Sequence, residues 1–231
     1  MSNKTNLIFL ITLITISYLD CSRLRSSSTT TQTPQTVLDI HYESLCPFSQ
    51  EFINGTLREF LSNPNLRKLA KINFHPYGKT TDQSNGTEFK FTCQHGPNEC
   101  FGNKVQLCGL KKLDQENGIN FVICMETNIP KVNDNISAAL KSCVIPENLY
   151  ADILKCANGV EGNTLYHQET SIVPKLDHVP AIVVNGQFDE YAEEDIRNSV
   201  KNYICRQGEN SRLPECAPSS VLVDYNQNII G

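Results

Sequence analysis

The sequence has no second long apolar run after residues 7–19, which excludes a multi-span membrane protein. No cluster of Lys and Arg forms a basic patch, and the formal net charge is only −5. Neither nucleic acid nor an anionic membrane surface is therefore an expected partner. No internal repeat is evident, and the stretch from about Thr36 to Cys216 has the length of one domain with a substantial core. The absence with the largest chemical consequence is at position 49. In Tyr42-Glu43-Ser44-Leu45-Cys46-Pro47-Phe48-Ser49, a serine stands where a dithiol C-x-x-C site would place its resolving cysteine.

What is present points to the secretory pathway. Leu7 to Leu19 follows Lys4 and is too short to span a bilayer well, as in the apolar region of a signal peptide. We expect a signal peptide over residues 1–21. A retained N-terminal anchor is the competing reading, because no clean small-x-small cleavage site follows. Asp20-Cys21 resembles a bacterial lipoprotein site only in part, since Asp beside the cysteine fits it poorly. Residues 22–36, rich in Ser and Thr, read as a linker able to carry O-linked sugars. Asn54, Asn85 and Asn135 open N-glycosylation triplets, although such triplets also arise by chance.

The chain has ten cysteines, many for a cytosolic protein, so an oxidising compartment is expected. If Cys21 leaves with the leader, nine remain, and an odd count demands a free or intermolecular thiol. Cys46 is the natural candidate. Cys93, Cys100, Cys108, Cys124, Cys143, Cys156, Cys205 and Cys216 are then left for four bridges, in about 105 possible connectivities. The competing reading bridges Cys46 and frees another cysteine.

The pattern of residues places Cys46 in a fold. Val37 to Tyr42 alternates apolar and polar side chains like a half-buried strand. From Pro47 the apolar residues Phe48, Phe52, Ile53, Leu57, Phe60 and Leu61 form a helical stripe that Asn63-Pro64 ends, with Asn54 on its polar side. Cys46 thus precedes a helix, where unpaired N–H groups and the helix dipole favour a thiolate. Leu69 to Tyr77 reads as a second strand, and Gly78 to Thr87 as a loop. Helices are expected at 101–113, 118–125, 135–143 and 147–157. Val179 to Gln187 reads as a strand entering an Asn-Gly turn. An amphipathic helix over Glu190 to Cys205 closes the core, with Tyr191, Ile196, Val200 and Ile204 inward. This order predicts an α/β fold, a thioredoxin-like core with a disulfide-rich helical insertion at about 93–175, over residues 37–216, followed by a tail at 217–231.

Cys93-Gln94-His95-Gly96 with Glu99-Cys100, Asn103 and Cys108 resembles the signature of the gamma-interferon-inducible lysosomal thiol reductase (GILT) family. Cys156-Ala157-Asn158, Gly162-Asn163, Leu165, and Val179-Pro180 leading to Val184-Asn185-Gly186 add to the similarity, which covers nearly all of residues 37–216. The resemblance implies a thioredoxin-like fold and reduction of disulfides in acidic endolysosomal or extracellular settings. It also implies a cis Pro180 facing the active cysteine, with Val179 and Pro180 positioning a client strand.

The chemistry expected of Cys46 is attack on a client disulfide to form a mixed disulfide. Ser49 cannot release the client, though its hydroxyl can hydrogen-bond a thiolate at Cys46. Release then falls to an external small thiol or a client thiol, or the adduct persists. Disulfide-containing client proteins and a small-molecule thiol reductant are the expected partners. No cofactor, no metal and no stable membrane association after signal removal are expected. Secretion or a lysosomal destination follows. The alternative is a catalytically impaired client-binding protein of the same fold. Zinc at Cys93, His95 and Cys100 matches no common ligand spacing, and a cysteine protease with His167 or His178 as base lacks supporting sequence context. A surface histidine without a role is the simpler reading of His178.

Overall fold

The computed structural model describes residues 35–85, 88–144, 146–172 and 177–217. The expected signal peptide, nearly all of the linker, and the tail beyond residue 217 lie outside the described residues. No helix among the described residues is long and apolar enough to cross a membrane.

The alternating segment forms β1 (Thr36–Tyr42), with Leu38, Ile40 and Tyr42 fully buried. Three short helices follow: α1 (Pro47–Phe52), α2 (Arg58–Ser62) and α3 (Pro64–Arg67). The single expected stripe is interrupted at Ile53–Leu57, a wider turn in which Gly55 leaves helical geometry. Phe52, Ile53, Leu57, Phe60 and Leu61 are nonetheless buried, so the interruption redirects the helix while keeping its apolar face inward. These helices carry the chain over to β2 (Ala70–Pro76), which pairs parallel to β1 with Leu38 opposite Ile72 and Ile40 opposite Phe74. A parallel pair needs such a crossover.

The segment expected as a loop contains β3 (Thr81–Asp82), paired antiparallel with β4 (Phe91–Thr92). A helical block comes next: α4 (Pro97–Lys112), α5 (Gln115–Asn128), α6 (Ile136–Cys143), α7 (Glu147–Asn158) and α8 (Val160–Gln168). The first four overlap the expected helices, α4 beginning four residues earlier, α5 longer at both ends, and α6 and α7 within one residue of expectation; α8 lies outside the expected helices. Its short, polar, Gly-containing sequence shows little apolar periodicity, yet Tyr166 is fully buried.

The chain returns as β5 (Ala181–Val184), antiparallel to β1, and turns into β6 (Gln187–Phe188), giving the order β2-β1-β5-β6. Asn185 and Gly186 have φ of 51° and 77°, as a two-residue hairpin turn requires. The last expected helix is two, α9 (Glu190–Asn198) and α10 (Val200–Cys205). Ser199 between them is extended, and its hydroxyl caps α10 by accepting from the Asn202 N–H. Ile196, Val200 and Ile204 are fully buried, but Tyr191 is 84% exposed, correcting its inward assignment. The architecture is α/β: a small mixed sheet with helices packed on it and a disulfide-rich helical block between β4 and β5.

All eight expected partners are bridged, as Cys93–Cys100, Cys108–Cys156, Cys124–Cys143 and Cys205–Cys216. Three of the bridges join segments that pack together. Cys108–Cys156 ties α4 to α7, Cys124–Cys143 ties α5 to α6, and Cys205–Cys216 holds the end of α10 to a terminal turn. The Cys108–Cys156 bridge closes 48 residues, for which chain entropy assigns roughly 4 kcal/mol of stabilisation.

Candidate active site

Cys46 is the free cysteine among the described residues. It sits at the N-cap of α1 in extended geometry (φ −75°, ψ 119°), with Pro47 in the first helical turn. Two backbone bonds hold the turn: Cys46 N–H donates to the Glu43 carbonyl at 3.1 Å, and Gln50 N–H to the Cys46 carbonyl at 3.0 Å. The Gln50 amide adds a third by donating to the Ser44 carbonyl at 3.0 Å. The residue is 5% exposed, and its Sγ lies 4.0 Å from the Val179 carbonyl oxygen. The Val179–Pro180 peptide bond is cis. The thiol therefore lies where the end of β1 meets the loop entering β5. Phe48, two residues further on, is 65% exposed and gives this rim a large apolar side chain.

Ser49 is fully buried, and its hydroxyl accepts from the Glu43 N–H at 3.4 Å, which ties the start of α1 to the turn before it.

His178 lies beside the Val179–Pro180 loop with Nδ1 2.6 Å from Asp177 and Nε2 2.8 Å from Glu193. Burial opposes its charged form, but the two carboxylates outweigh it and raise its pKa above the ordinary value. Glu193 also accepts from the Ile182 N–H at 3.1 Å, so the histidine is braced against β5. His167 lies 2.6 Å from Asp82, on the β3–β4 side.

Behind the thiol-bearing turn is a polar layer. Ser44 N–H donates to Asn103 Oδ1 at 2.9 Å, and the Asn103 amide donates to the Tyr166 hydroxyl at 2.9 Å. That hydroxyl also lies 2.5 Å from Thr80 Oγ1 and 3.2 Å from Cys93 Sγ. Asn103 and Tyr166 are fully buried, and together they lock the turn to α4, α8 and the Cys93–Cys100 bridge. The Cys93–Cys100 bridge also removes both thiolates from the zinc arrangement weighed on sequence, leaving His95 with other neighbours. Glu43 is one of them. Its carboxylate is fully buried, with Oε1 accepting from the Lys79 N–H at 2.6 Å. Burial raises its pKa, the Lys79 bond opposes this, and the charge of Glu99 adds to the rise. Glu43 and Tyr166 escaped the sequence reading because nothing local marks them as buried, and half-buried Thr80 because nothing local marks its partner; Gly78 gives a faint signal. Gly78 has φ +54°, and a Cβ there would meet the Glu43 side chain at 2.3 Å.

The glycosylation candidates differ in setting. The Asn54 amide donates to the Glu126 carbonyl at 2.9 Å, and Thr127 Oγ1 lies 2.5 Å from Asn54 Oδ1. The nitrogen that would carry a sugar thus faces α5 instead of solvent, because the kink at Gly55 turns Asn54 inward. Asn135 is exposed and caps α6 by accepting from the Ala138 N–H at 3.0 Å. Asn85 is exposed, and its Oδ1 accepts from the Glu88 N–H at 2.9 Å; Gly86 and Thr87 of its triplet lie outside the described residues.

Residues 37–147 match the family model described as gamma interferon inducible lysosomal thiol reductase (GILT). The chain is similar to the gamma-interferon-inducible lysosomal thiol reductase of Carassius auratus, with 29% identity over 204 residues, covering 85% of this chain and 77% of the relative. It is 28% identical over 213 residues to GILT-like protein 1 of Drosophila melanogaster, covering 80% and 84%. The Mus musculus gamma-interferon-inducible lysosomal thiol reductase is 30% identical over 159 residues, covering 66% and 61%. The matched segment contains Cys46, Ser49 and the whole Cys93 to Cys108 pattern.

Proposed function

Because this chain belongs to the gamma interferon inducible lysosomal thiol reductase family, we propose that it is a monothiol disulfide oxidoreductase acting through Cys46 on disulfide-containing client proteins. The observation that carries this reading is the position of the one unbridged cysteine among the described residues. It caps a helix and faces the Val179 carbonyl of a cis Val179–Pro180 loop, in a domain whose other described cysteines are all paired.

In the first step the Cys46 thiolate attacks one sulfur of the client disulfide. That S–S bond breaks, a Cys46–client disulfide forms, and the other client sulfur leaves as a thiolate that takes a proton. Ser49 supplies no second thiol, so an external small thiol attacks the mixed disulfide. A second external thiol completes the two-electron reduction, leaving the client as a dithiol and the reductant as its disulfide. Val179 and Pro180 position the client strand, and the exposed Phe48 in the first turn of α1 offers it apolar contact. The family name and the bridged cysteines support a lysosomal or secreted setting, with exposed Asn135 and Asn85 as the better sugar acceptors.

The test is turnover of a disulfide client with and without an added small thiol, in parent and Cys46→Ser proteins. We expect thiol-dependent reduction by the parent and none above background by Cys46→Ser. Equal turnover by the two proteins refutes the assignment. Client binding by both with turnover by neither selects a client-binding protein that has lost the chemistry.

A further inference from the structure

The buried group behind the thiol-bearing turn is built like a cation site. Glu43, His95 and Glu99 each offer one ligand atom, and the three atoms lie within 4.8 Å of one another. His95 Nδ1 is 2.5 Å from Glu99 Oε2 and 3.5 Å from Glu43 Oε2. Each carboxylate has its other oxygen pinned by a backbone N–H: Glu43 Oε1 by Lys79 at 2.6 Å, and Glu99 Oε1 by His95 at 3.0 Å. Outer bonds of this kind orient metal ligands. Both carboxylate side chains are fully buried, whereas the imidazole is 31% exposed and opens a path to solvent.

The independent sign of a missing ligand is Glu43 Oε2. It is buried, aimed at this cluster, and has no hydrogen-bond partner. An orphaned carboxylate oxygen beside a second buried carboxylate is costly unless positive charge joins it. Three protein ligands with a fourth position left open is a common zinc arrangement, and bond lengths near 2.0–2.1 Å put tetrahedral ligand atoms about 3.3 Å apart. The Glu43–His95 separation fits that spacing, and a rotation of the part-exposed imidazole opens the His95–Glu99 separation to it.

We propose that Glu43, His95 and Glu99 bind a divalent transition-metal cation, Zn2+ by ligand chemistry, which braces the turn carrying Cys46 against the start of α4. The oxygen count is too low for calcium, which takes six to eight oxygen ligands. The site is separate from the thiol chemistry: Cys46 contributes no ligand, and the four bridges remain closed.

The test is calorimetric titration of Zn2+ into the disulfide-intact chain after Cys46 has been alkylated, so that the free thiol cannot compete. Saturable one-to-one binding is expected, weakened at least about tenfold in both Glu43→Gln and His95→Ala. Co2+ bound in place of Zn2+ should give weak visible bands without thiolate charge transfer. Absence of one-to-one binding, or equal affinity in parent and His95→Ala, overturns the proposal. Should Glu43→Gln fail to fold, His95→Ala decides alone, because its side chain is the part-exposed member. Loss of turnover in Cys46→Ser bears only on the thiol reading, and Zn2+ affinity only on this one.

Discussion

Replacing Glu126 by Gln removes an ionisable group from a place that solvent does not reach. Glu126 is fully buried on α5 at the end of a polar chain: Tyr42 OH donates to Gln106 Oε1, and Gln106 Nε2 donates to Glu126 Oε1, each at 2.5 Å. Its Oε2 has no hydrogen-bond partner. Burial raises the Glu126 pKa well above the carboxylate range; the Gln106 bond opposes this, and the charge of Glu99 reinforces it. The sign of the stability effect follows. Below the ordinary carboxylate pKa, both folded and unfolded chains hold this proton and the group is neutral to stability. Above it, the unfolded chain releases a proton that the folded chain keeps, so stability falls with rising pH until the folded carboxyl also ionises.

Within that window a full pH unit is worth at most about 1.4 kcal/mol, so the loss from about pH 5 towards neutrality is on the order of a few kcal/mol at most. Glu126→Gln keeps the shape and the oxygen that accepts from Gln106, but has no proton to lose. Urea unfolding of parent and variant across this range should show the parent losing stability relative to the variant as pH rises, with little difference in acid. Other titrating groups act on both proteins and cancel in the difference. Parallel curves, or a variant that loses more stability towards neutrality, would refute the burial argument.

Ser49→Cys places a second thiol three residues from Cys46; mild oxidation should close a bridge seen by mass as loss of both alkylatable thiols, and client reduction should depend less on added thiol. Gly78→Ala adds a Cβ at φ +54° and 2.3 Å from Glu43, against nothing within 4 Å at Gly208. Chemical denaturation should show a cost of about 1–3 kcal/mol for Gly78→Ala and the smaller cost for Gly208→Ala. Phe48→Ala, at a side chain 65% exposed, should leave stability within about 0.5 kcal/mol while lowering kcat/KM for an apolar client. His41 is held to a pKa of about 4 by burial and then by His75, with Asp39 opposing. The unfolded chain takes up a proton below about pH 6.5 that the folded chain refuses, so His41→Gln should remove up to about 3 kcal/mol of acid-side stability loss in the same unfolding assay.

Which of these residues could be read from sequence depends on the range of the forces that place them. The strand at β1 and the helix start at Cys46 are set by neighbours: alternation puts Leu38, Ile40 and Tyr42 inward, and Pro47 fits the first helical turn. Cysteine parity is likewise visible from composition, whereas pairings such as Cys108–Cys156 depend on how α4 meets α7. The error at Tyr191 shows how a local rule fails. Tyr191 and Ile196 share α9 but stand five residues apart, about 140° round the helix at 3.6 residues per turn, so they face different sides. Ile196, Val200 and Ile204 keep a four-residue spacing and are fully buried although Ser199 breaks the helix and its side chain caps α10. Glu43 was illegible for the complementary reason. A glutamate three residues before a reactive-cysteine candidate reads as solvated, and only the backbone at Gly78 and Lys79, brought up behind it by β2, turns it into a buried acceptor. The attacking thiol is thus written locally, while the charged group that braces its turn exists only once β1, β2 and α4 have come together.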